Sequence, residues 1–223
     1  QNNNIPTVNY RLLNKNYRRS KINNINFPAV IKPLDSQGQR GVFKIKTPEK
    51  IDKYFFFFLK YSREEQILLE EYYESDEITI SGWVKDEELN ILTITDRVTY
   101  EQDLNIGICT AHIFPSRHLT KYYKQIKNIS ENIVQSFQIK DGPIYFQMLI
   151  GQKGIKVNEI ACRIGGAYEA DFMPLITGVD ILAMVINSAL GREINTRPLK
   201  DYHILDNNNW LSVQLFFAQE GKI

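Results

Sequence analysis

GPIYFQMLIGQKGIKVNEIACRIGG, residues 142–166, reads as two apolar strand-forming runs around a glycine-bearing turn. Gln147 lies in the first run, Glu159 in the second, and Arg163 just beyond. A bare hairpin has no need of a polar residue in the middle of each strand. An amide oxygen, a carboxylate and a guanidinium set out this way suit a metal held against phosphate. The reading carries a demand on register. A four-residue loop, Gly151 to Gly154, pairs Ile150 with Ile155 and sets Gln147 opposite Asn158. Gln147 and Glu159 would then point to opposite faces, because side chains alternate along a strand. For both to reach one metal, a five-residue connection or a bulge must bring Gln147 opposite Glu159.

The rest of the chain sets bounds. Its 223 residues can bury a real core, as one or two domains. With 43% hydrophobic and 24% charged residues, the composition is that of a folded protein. The 27 basic residues against 26 acidic ones leave a net charge of +1, which argues against a nucleic-acid partner. Arg11, Lys15, Arg18, Arg19 and Lys21 cluster among asparagines and read as a solvated surface segment before a phosphate-binding arm. Cys109 and Cys162 have no metal-ligand spacing and read as small core residues. No apolar run approaches the ~18 residues of a membrane span, so no membrane is expected and a cytoplasmic location is. Gln1-Asn2-Asn3-Asn4 has no Met, and Gly221-Lys222-Ile223 follows directly on a strand-like run. Both ends are therefore expected to be cut.

Strand patterns run over Phe27–Lys32, Gly41–Ile45, Gln66–Tyr73, Glu77–Val84, Leu89–Val98 and Asn105–Phe114. Turns are expected at Ser75-Asp76, Asp86-Glu87-Glu88 and Gln102-Asp103. Thr47-Pro48 opens a helix through Tyr54-Phe55-Phe56-Phe57-Phe58-Leu59, whose aromatics read as core packing on two sides. Thr120–Phe137 has helical spacing, and a further helix is expected over Val179–Leu190, started by Gly178 and closed by Gly191. Met173 and Met184 look like core. Helices and strands mix without strict alternation, which makes the class α+β.

Lys32-Pro33-Leu34-Asp35-Ser36-Gln37-Gly38-Gln39-Arg40-Gly41-Val42 is a strand end, a glycine-bearing loop and a return strand. Gly38 and Gly41 let backbone N–H groups turn onto an anion, and Lys32 can add charge. No Gly-Lys-Ser/Thr follows, so it is not a Walker loop, and taken alone it reads equally as a tight hairpin.

Five motifs stand in order: FPAVIKPLDSQGQRGV (27–42), ILLEEYYESDEITISGWV (67–84), TDR (95–97), HIFPS (112–116) and the 142–166 stretch. Together they resemble the ATP-grasp superfamily, above all carboxylate–amine ligases and the synthetase units of the carbamoyl-phosphate synthase large subunit. The resemblance implies an ATP-grasp fold, two lobes with mostly antiparallel sheets enclosing a nucleotide cleft, the small lobe at about 1–73 and the larger at about 74–223. It implies ATP and Mg²⁺ (or Mn²⁺), with a carboxylate substrate phosphorylated to an acyl phosphate for attack by an amine. It implies an N-terminal domain before Ile5-Pro6 and a C-terminal remainder outside this chain, so that the chain alone is expected to bind ATP weakly without turnover, and it allows a homodimer of the full-length protein. A catalytically weak nucleotide-binding module is the alternative.

Carried onto this sequence, the resemblance gives Lys32 to the nucleotide phosphates and Ser36 to Gly41, with Gly38 between, to a loop covering them. Glu70 and Tyr72 would contact adenine and Glu77 the ribose hydroxyls; on the residues alone, Glu70 and Glu71 read as a solvated acidic edge. Gln147 and Glu159 match the metal ligands, and Arg163 the arginine that neutralises the transferring phosphoryl group. Ala161 stands where many relatives place a further Asn ligand. His112 is either a structural histidine or a substrate contact, and Asp96-Arg97 either a salt-bridged strand end or part of the acceptor site. Gly165, Gly166, Glu169 and Asp171 are expected to line the acyl-acceptor side.

Overall fold

The computed structural model describes residues 3–36, 38–102, 105–216 and 221; Gln37 of the expected phosphate loop and Asp103 of an expected turn lie outside them. The chain divides into two compact units, one of residues 8–74 with 99–109, the other of 1–7, 75–98 and 110–223.

In the smaller unit the strands β1 (Tyr10–Asn14), β2 (Ala29–Pro33) and β3 (Phe43–Ile45) are followed by helix α1 (Pro48–Leu59) and β4 (Gln66–Glu71). β4 inserts between β1 and β2, antiparallel to both, and β3 pairs with β2. Alternation buries Leu13, Ile31, Ile67 and Leu69 and turns Lys32 and Glu70 to the other face. Pro48 takes the first helical position of α1 as expected, while Thr47 precedes it without a side-chain capping bond. The aromatic run departs from the two-sided packing expected of it. Ile51, Phe55 and Phe58 are buried at helical spacing, whereas Tyr54, Phe56 and Phe57 are 43%, 69% and 45% exposed. A helix presents one stripe to one core, and consecutive aromatics cannot all lie on it. The basic segment is tied down: Lys15 pairs with Glu65, Arg19 with Glu49 and Asp52, and Arg11 donates to the Lys21 carbonyl.

In the larger unit β5 (Ser75–Lys85) runs antiparallel between β6 (Glu88–Gln102) and β8 (Gly142–Gly151), with β9 (Gly154–Ala161) outside β8. On the other side β7 (Asn105–Phe114) follows β6, and β10 (Leu211–Gln214) pairs with β7. One face of this sheet is apolar: Ile78, Ile80, Ile94, Phe146, Met148, Ile155 and Val157 join Ile126 and Ile133 of helix α2 (Leu119–Ser136) in the core. Ser75 and Asp76 belong to β5 and form no turn; the break between strands falls at 72–74. Asp86 and Glu87 do form the β5–β6 turn, both with positive φ.

The 179–190 helix is also redrawn. Gly178, at φ +74°, closes a helix the sequence pattern missed, α3 (Glu169–Thr177), by donating to the Pro174 carbonyl. Pro174 inside α3 interrupts the pattern that would have announced it. α4 then spans Ile181–Ala189, and Asp180 caps it by accepting from the Ala183 N–H at 2.9 Å. A short α5 (Arg197–Asp201) follows. Met173 and Met184 are buried as expected. Of the cysteines, Cys109 is half-buried and Cys162 exposed, so the core expectation fails for Cys162, which lies just past the end of β9. Among the described residues no single helix is long and apolar enough to cross a membrane.

The split of the aromatic run is testable. Phe55→Ala should cost about 3–5 kcal/mol in denaturant unfolding, and Phe56→Ala no more than about 0.5 kcal/mol. Equal losses would refute one-sided packing of α1.

Candidate functional site

The hairpin register decides what the 142–166 stretch can do. Gly151 faces Gly154, Ile150 faces Ile155 and Met148 faces Val157; the register then shifts, and Gln147 faces Glu159. Asn158 is the extra residue, so the β-bulge required for a shared site is present. Pairing continues with Tyr145 opposite Ala161.

Residues opposite each other share a face, which extends the site across the sheet. Gln147 lies opposite Thr79, and Thr79 opposite Thr95. The two threonine hydroxyls are 2.5 Å apart, and Thr95 Oγ1 is 3.3 Å from His112 Nδ1. Glu77, two residues before Thr79, accepts from Arg97 at 2.9 Å, and both side chains are largely buried. Ser81, two residues after Thr79, faces Tyr145. This face is therefore a polar sheet surface, hydrogen-bonded row by row, on the back of an apolar one.

Around Gln147 the amide is held at both ends. Its Nε2 donates to the Tyr145 hydroxyl at 2.9 Å, and its Oε1 accepts from Asn158 Nδ2 at 3.2 Å. Glu159 is half exposed and lies 3.5 Å from Arg163 Nη2. Arg163 also donates to the Ile164 carbonyl at 2.9 Å and stands over the Tyr145 ring, 5.5 Å from its centroid. Gln147, Glu159 and Arg163 are thus brought together, with Tyr145 between two of them. Tyr145 was missed in the sequence, although its place two residues before Gln147 assigns it to the same face. Burial raises its phenol well above the usual range.

Glu169 was expected to line the acceptor side, and its burial at 1% exposure corrects that. Its carboxylate accepts from Ser81 Oγ at 2.8 Å and from the Gly165 backbone. Burial raises its pKa above the ordinary carboxylate value, against those two hydrogen bonds and Arg163. Gly165 is needed because that carboxylate fills its side-chain space: a Cβ there would lie 2.0 Å from Glu169 Oε2. Gly166 has open space around it. Glu169 thus anchors the loop that carries Arg163.

In the smaller unit Lys32 Nζ and Glu70 Oε2 are 2.5 Å apart, joining two of the expected nucleotide contacts across β2 and β4. Lys44 Nζ lies 3.6 Å above the Tyr72 ring, and the Tyr72 N–H donates to the Pro28 carbonyl. Glu71 accepts from the backbone and side chain of Asn26, which makes it a structural acid. In the glycine loop Asp35 accepts from the Arg63 N–H and Nε, tying one stem to the segment after α1. Ser36 is half-buried and Gly38, at φ +66°, has open space. Gly41 is buried at φ +79°, and a Cβ there would meet Tyr61 at 2.6 Å.

His112 and Asp96 are both buried. His112 is 2% exposed, and burial followed by the Arg97 charge lowers its pKa from 6.5 to about 4. Asp96 accepts from Ser116 Oγ at 2.5 Å and from the Arg117 N–H, fixing the entry to α2.

As a metal site the donor set is all oxygen. Glu159 offers one accessible carboxylate, with amide oxygens beside it, a set that fits Mg²⁺ when phosphate supplies the remaining charge. Among the described residues no three His, Cys, Asp or Glu side chains cluster in a way that could hold a metal by themselves.

Comparison with known proteins agrees with this geometry. Residues 25–171 match the family model described as an ATP-grasp domain. A D-alanine–D-alanine ligase of Fusobacterium nucleatum is 26% identical over 133 residues, covering 54% of this chain and 44% of that protein. The crystal structure of an L-amino acid ligase from Bacillus licheniformis superposes with a TM-score of 0.72 at 16% identity, over 88% of this chain and 46% of the other. The biotin carboxylase domain of Hydrogenobacter thermophilus 2-oxoglutarate carboxylase, solved with MgADP, ADP and bicarbonate, gives 0.70 at 19% identity, over 87% and 44%. The chain spans a little under half the length of these relatives.

Two outcomes follow. Gly165→Ala should destabilise by about 1–3 kcal/mol through overpacking while Gly166→Ala stays within about 1 kcal/mol, read by thermal unfolding; equal effects would remove the Glu169 anchor. Buried neutral His112 takes up a proton in the unfolded chain below about pH 6.5 but in the folded one only near 4. Stability from this residue should therefore be complete above pH 6.5 and fall toward pH 4, by at most about 3 kcal/mol. Glu169, raised by burial, acts with the opposite sign. The difference between wild type and His112→Asn isolates the histidine, and parallel pH profiles would contradict its burial.

Proposed function

Because the chain belongs to the ATP-grasp family, we propose that the protein of which it is part is an ATP-dependent ligase that activates a small carboxylate as its acyl phosphate for attack by an amine. The observation that carries this is the bulged register, which sets Gln147 beside Glu159 and keeps Arg163 3.5 Å from that carboxylate.

Lys32 would bind nucleotide phosphate, with Ser36, Gly38 and Gly41 supplying backbone and hydroxyl groups from the loop. Glu70 and Tyr72 would contact the base and Glu77 the ribose. Glu159 and Gln147 would hold Mg²⁺, which when bound neutralises charge on the phosphates. Arg163, kept in place by Tyr145 and by the loop that Glu169 anchors, would meet the transferring phosphoryl group as the substrate carboxylate attacks it and ADP leaves. The amine then displaces phosphate from the acyl phosphate. Catalysis is by positioning and charge, with no covalent step on the protein. Gly166, open to space, would face the acceptor side.

A second reading, nucleotide binding with little turnover, is favoured by one observation. Gln147 supplies a neutral oxygen already engaged by Asn158, and Ala161 supplies none.

Phosphate release by the full-length protein, screened over amino acids and other small carboxylates, separates the two. We expect release dependent on both carboxylate and ATP, reduced about 10²-fold or more in Glu159→Ala and Arg163→Ala. Nucleotide with Mg²⁺ should also raise the melting temperature. Such a rise without turnover on any carboxylate would select the second reading, and no rise would sink both.

A further inference from the structure

Helix α1 keeps a second stripe beside its buried one. Lys50, Tyr54 and Phe57 follow at intervals of four and three residues and so share a face, next to Ile51, Phe55 and Phe58. Between this face and Ile45 of β3 lies a cavity of about 340 Å³, lined by Ile45, Lys50, Tyr54, Phe57 and Phe58. Its inner wall is fixed by Phe43, whose ring centroid is 5.7 Å from that of Phe57 and 5.3 Å from that of Phe58. Tyr54 and Phe57 stand exposed at its mouth. The cavity is on the far side of the sheet from the expected nucleotide contacts. Phe43 and Ile45 turn toward α1, whereas Lys44 between them shares the other face with Glu70, across Val30.

The charges on this stripe have one sign. Lys50 forms part of the wall, Lys53 stands 5.1 Å over the Tyr54 ring, and Lys60 follows three residues after Phe57. Among the described residues none of these three lysines has an ion pair. The acids of α1, Glu49 and Asp52, are both held by Arg19 on the other flank of the helix.

We propose that this cavity binds a small aromatic carboxylate, at a site separate from the nucleotide face. Tyr54, Phe57 and Phe58 offer ring faces and edges to a further ring. No carboxylate or amide lines the cavity to receive hydrogen-bond donors, so the ligand's ring is apolar. Lys50 meets the anion. Its stem is half-buried against the rings, and its ammonium gives up no acidic partner when a ligand arrives. One ammonium in the wall matches a single negative charge, and Lys53 and Lys60 add a field that salt screens. The volume is at the low end for small-molecule sites, which limits the ligand to one or two rings. The site stands whether or not the protein turns over ATP.

The test is a ligand-observed NMR titration of the full-length protein with 1-naphthoate, and with 1-naphthalenemethanol as its uncharged counterpart. Naphthoate should bind, and the alcohol about fivefold more weakly. Lys50→Ala should weaken naphthoate by about the same factor and leave the alcohol unchanged. Phe57→Ala should weaken both about tenfold, while Lys32→Ala and Arg163→Ala bind naphthoate as wild type does. Absence of naphthoate binding overturns the proposal, and so does binding indifferent to both Lys50→Ala and Phe57→Ala. Binding lost in Lys32→Ala or Arg163→Ala puts the probe on the nucleotide or phosphoryl side and also overturns it. Should Phe57→Ala fail to fold, Lys50→Ala with the two probes decides alone. If wild type takes up no naphthoate and Lys50→Glu converts a dimer to monomers, the face is covered by a second copy of the chain and the proposal falls.

Discussion

One apolar face governs the larger unit. Ile78, Ile80, Phe146, Met148, Ile155 and Val157 must all stay out of water, and every residue that alternates with them is thereby committed to the opposite face. A slip of one residue in any of these strands would put several isoleucines into solvent, at ~1.5–3 kcal/mol each. The polar surface of Glu77, Thr79, Ser81, Thr95, Gln147 and Glu159 is thus held in register by the hydrophobic side it never touches. The bulge at Asn158 alters that commitment in the middle of the candidate site, and a second register shift lies between β5 and β6 at Ser81 and Gly82.

That bulge was legible in the residues, and more directly than through loop length. In Ile155-Lys156-Val157-Asn158-Glu159-Ile160 the apolar positions run 155, 157 and then 160. Both parities cannot face one core on a regular strand, and Ile160 does pack against the same core as Val157. A change of parity in the hydrophobic pattern is therefore a bulge signal, and it selects the pairing of Gln147 with Glu159. Most strands and α2 were legible for the ordinary reason that their periods are clean, and α1 was legible from Thr47-Pro48 at its start. α3 was not, because Pro174 interrupts it, and Gly178 was then assigned to the start of the next helix when it ends this one.

The less legible contacts are those that join distant segments. Lys32 and Glu70 meet because β4 returns to lie beside β2, a non-local choice that no local propensity encodes. Ser81 and Glu169 are 88 residues apart in the chain, and an acidic residue after two glycines reads as exposed. Gly165 carried the hint. With no positive φ to explain it, its missing side chain pointed to something close by, and the neighbour is the Glu169 carboxylate.

The economy of charge on the polar face explains why an amide suits position 147. Gln147 is 8% exposed, and its neighbours on the strand face are a half-exposed carboxylate at 159 and a phenol at 145. A carboxylate buried there would lose hydration and face Glu159 directly, two costs that only a permanently bound cation could offset. The amide satisfies both of its ends within the sheet, donating to Tyr145 and accepting from Asn158, and so is stable whether or not an ion is near. The same logic runs along the face. Glu77 is matched by Arg97, and His112 stays neutral to about pH 4. Glu159 and Arg163, both half exposed, are charges within reach of solvent, and they stand together where phosphate charge would have to be met.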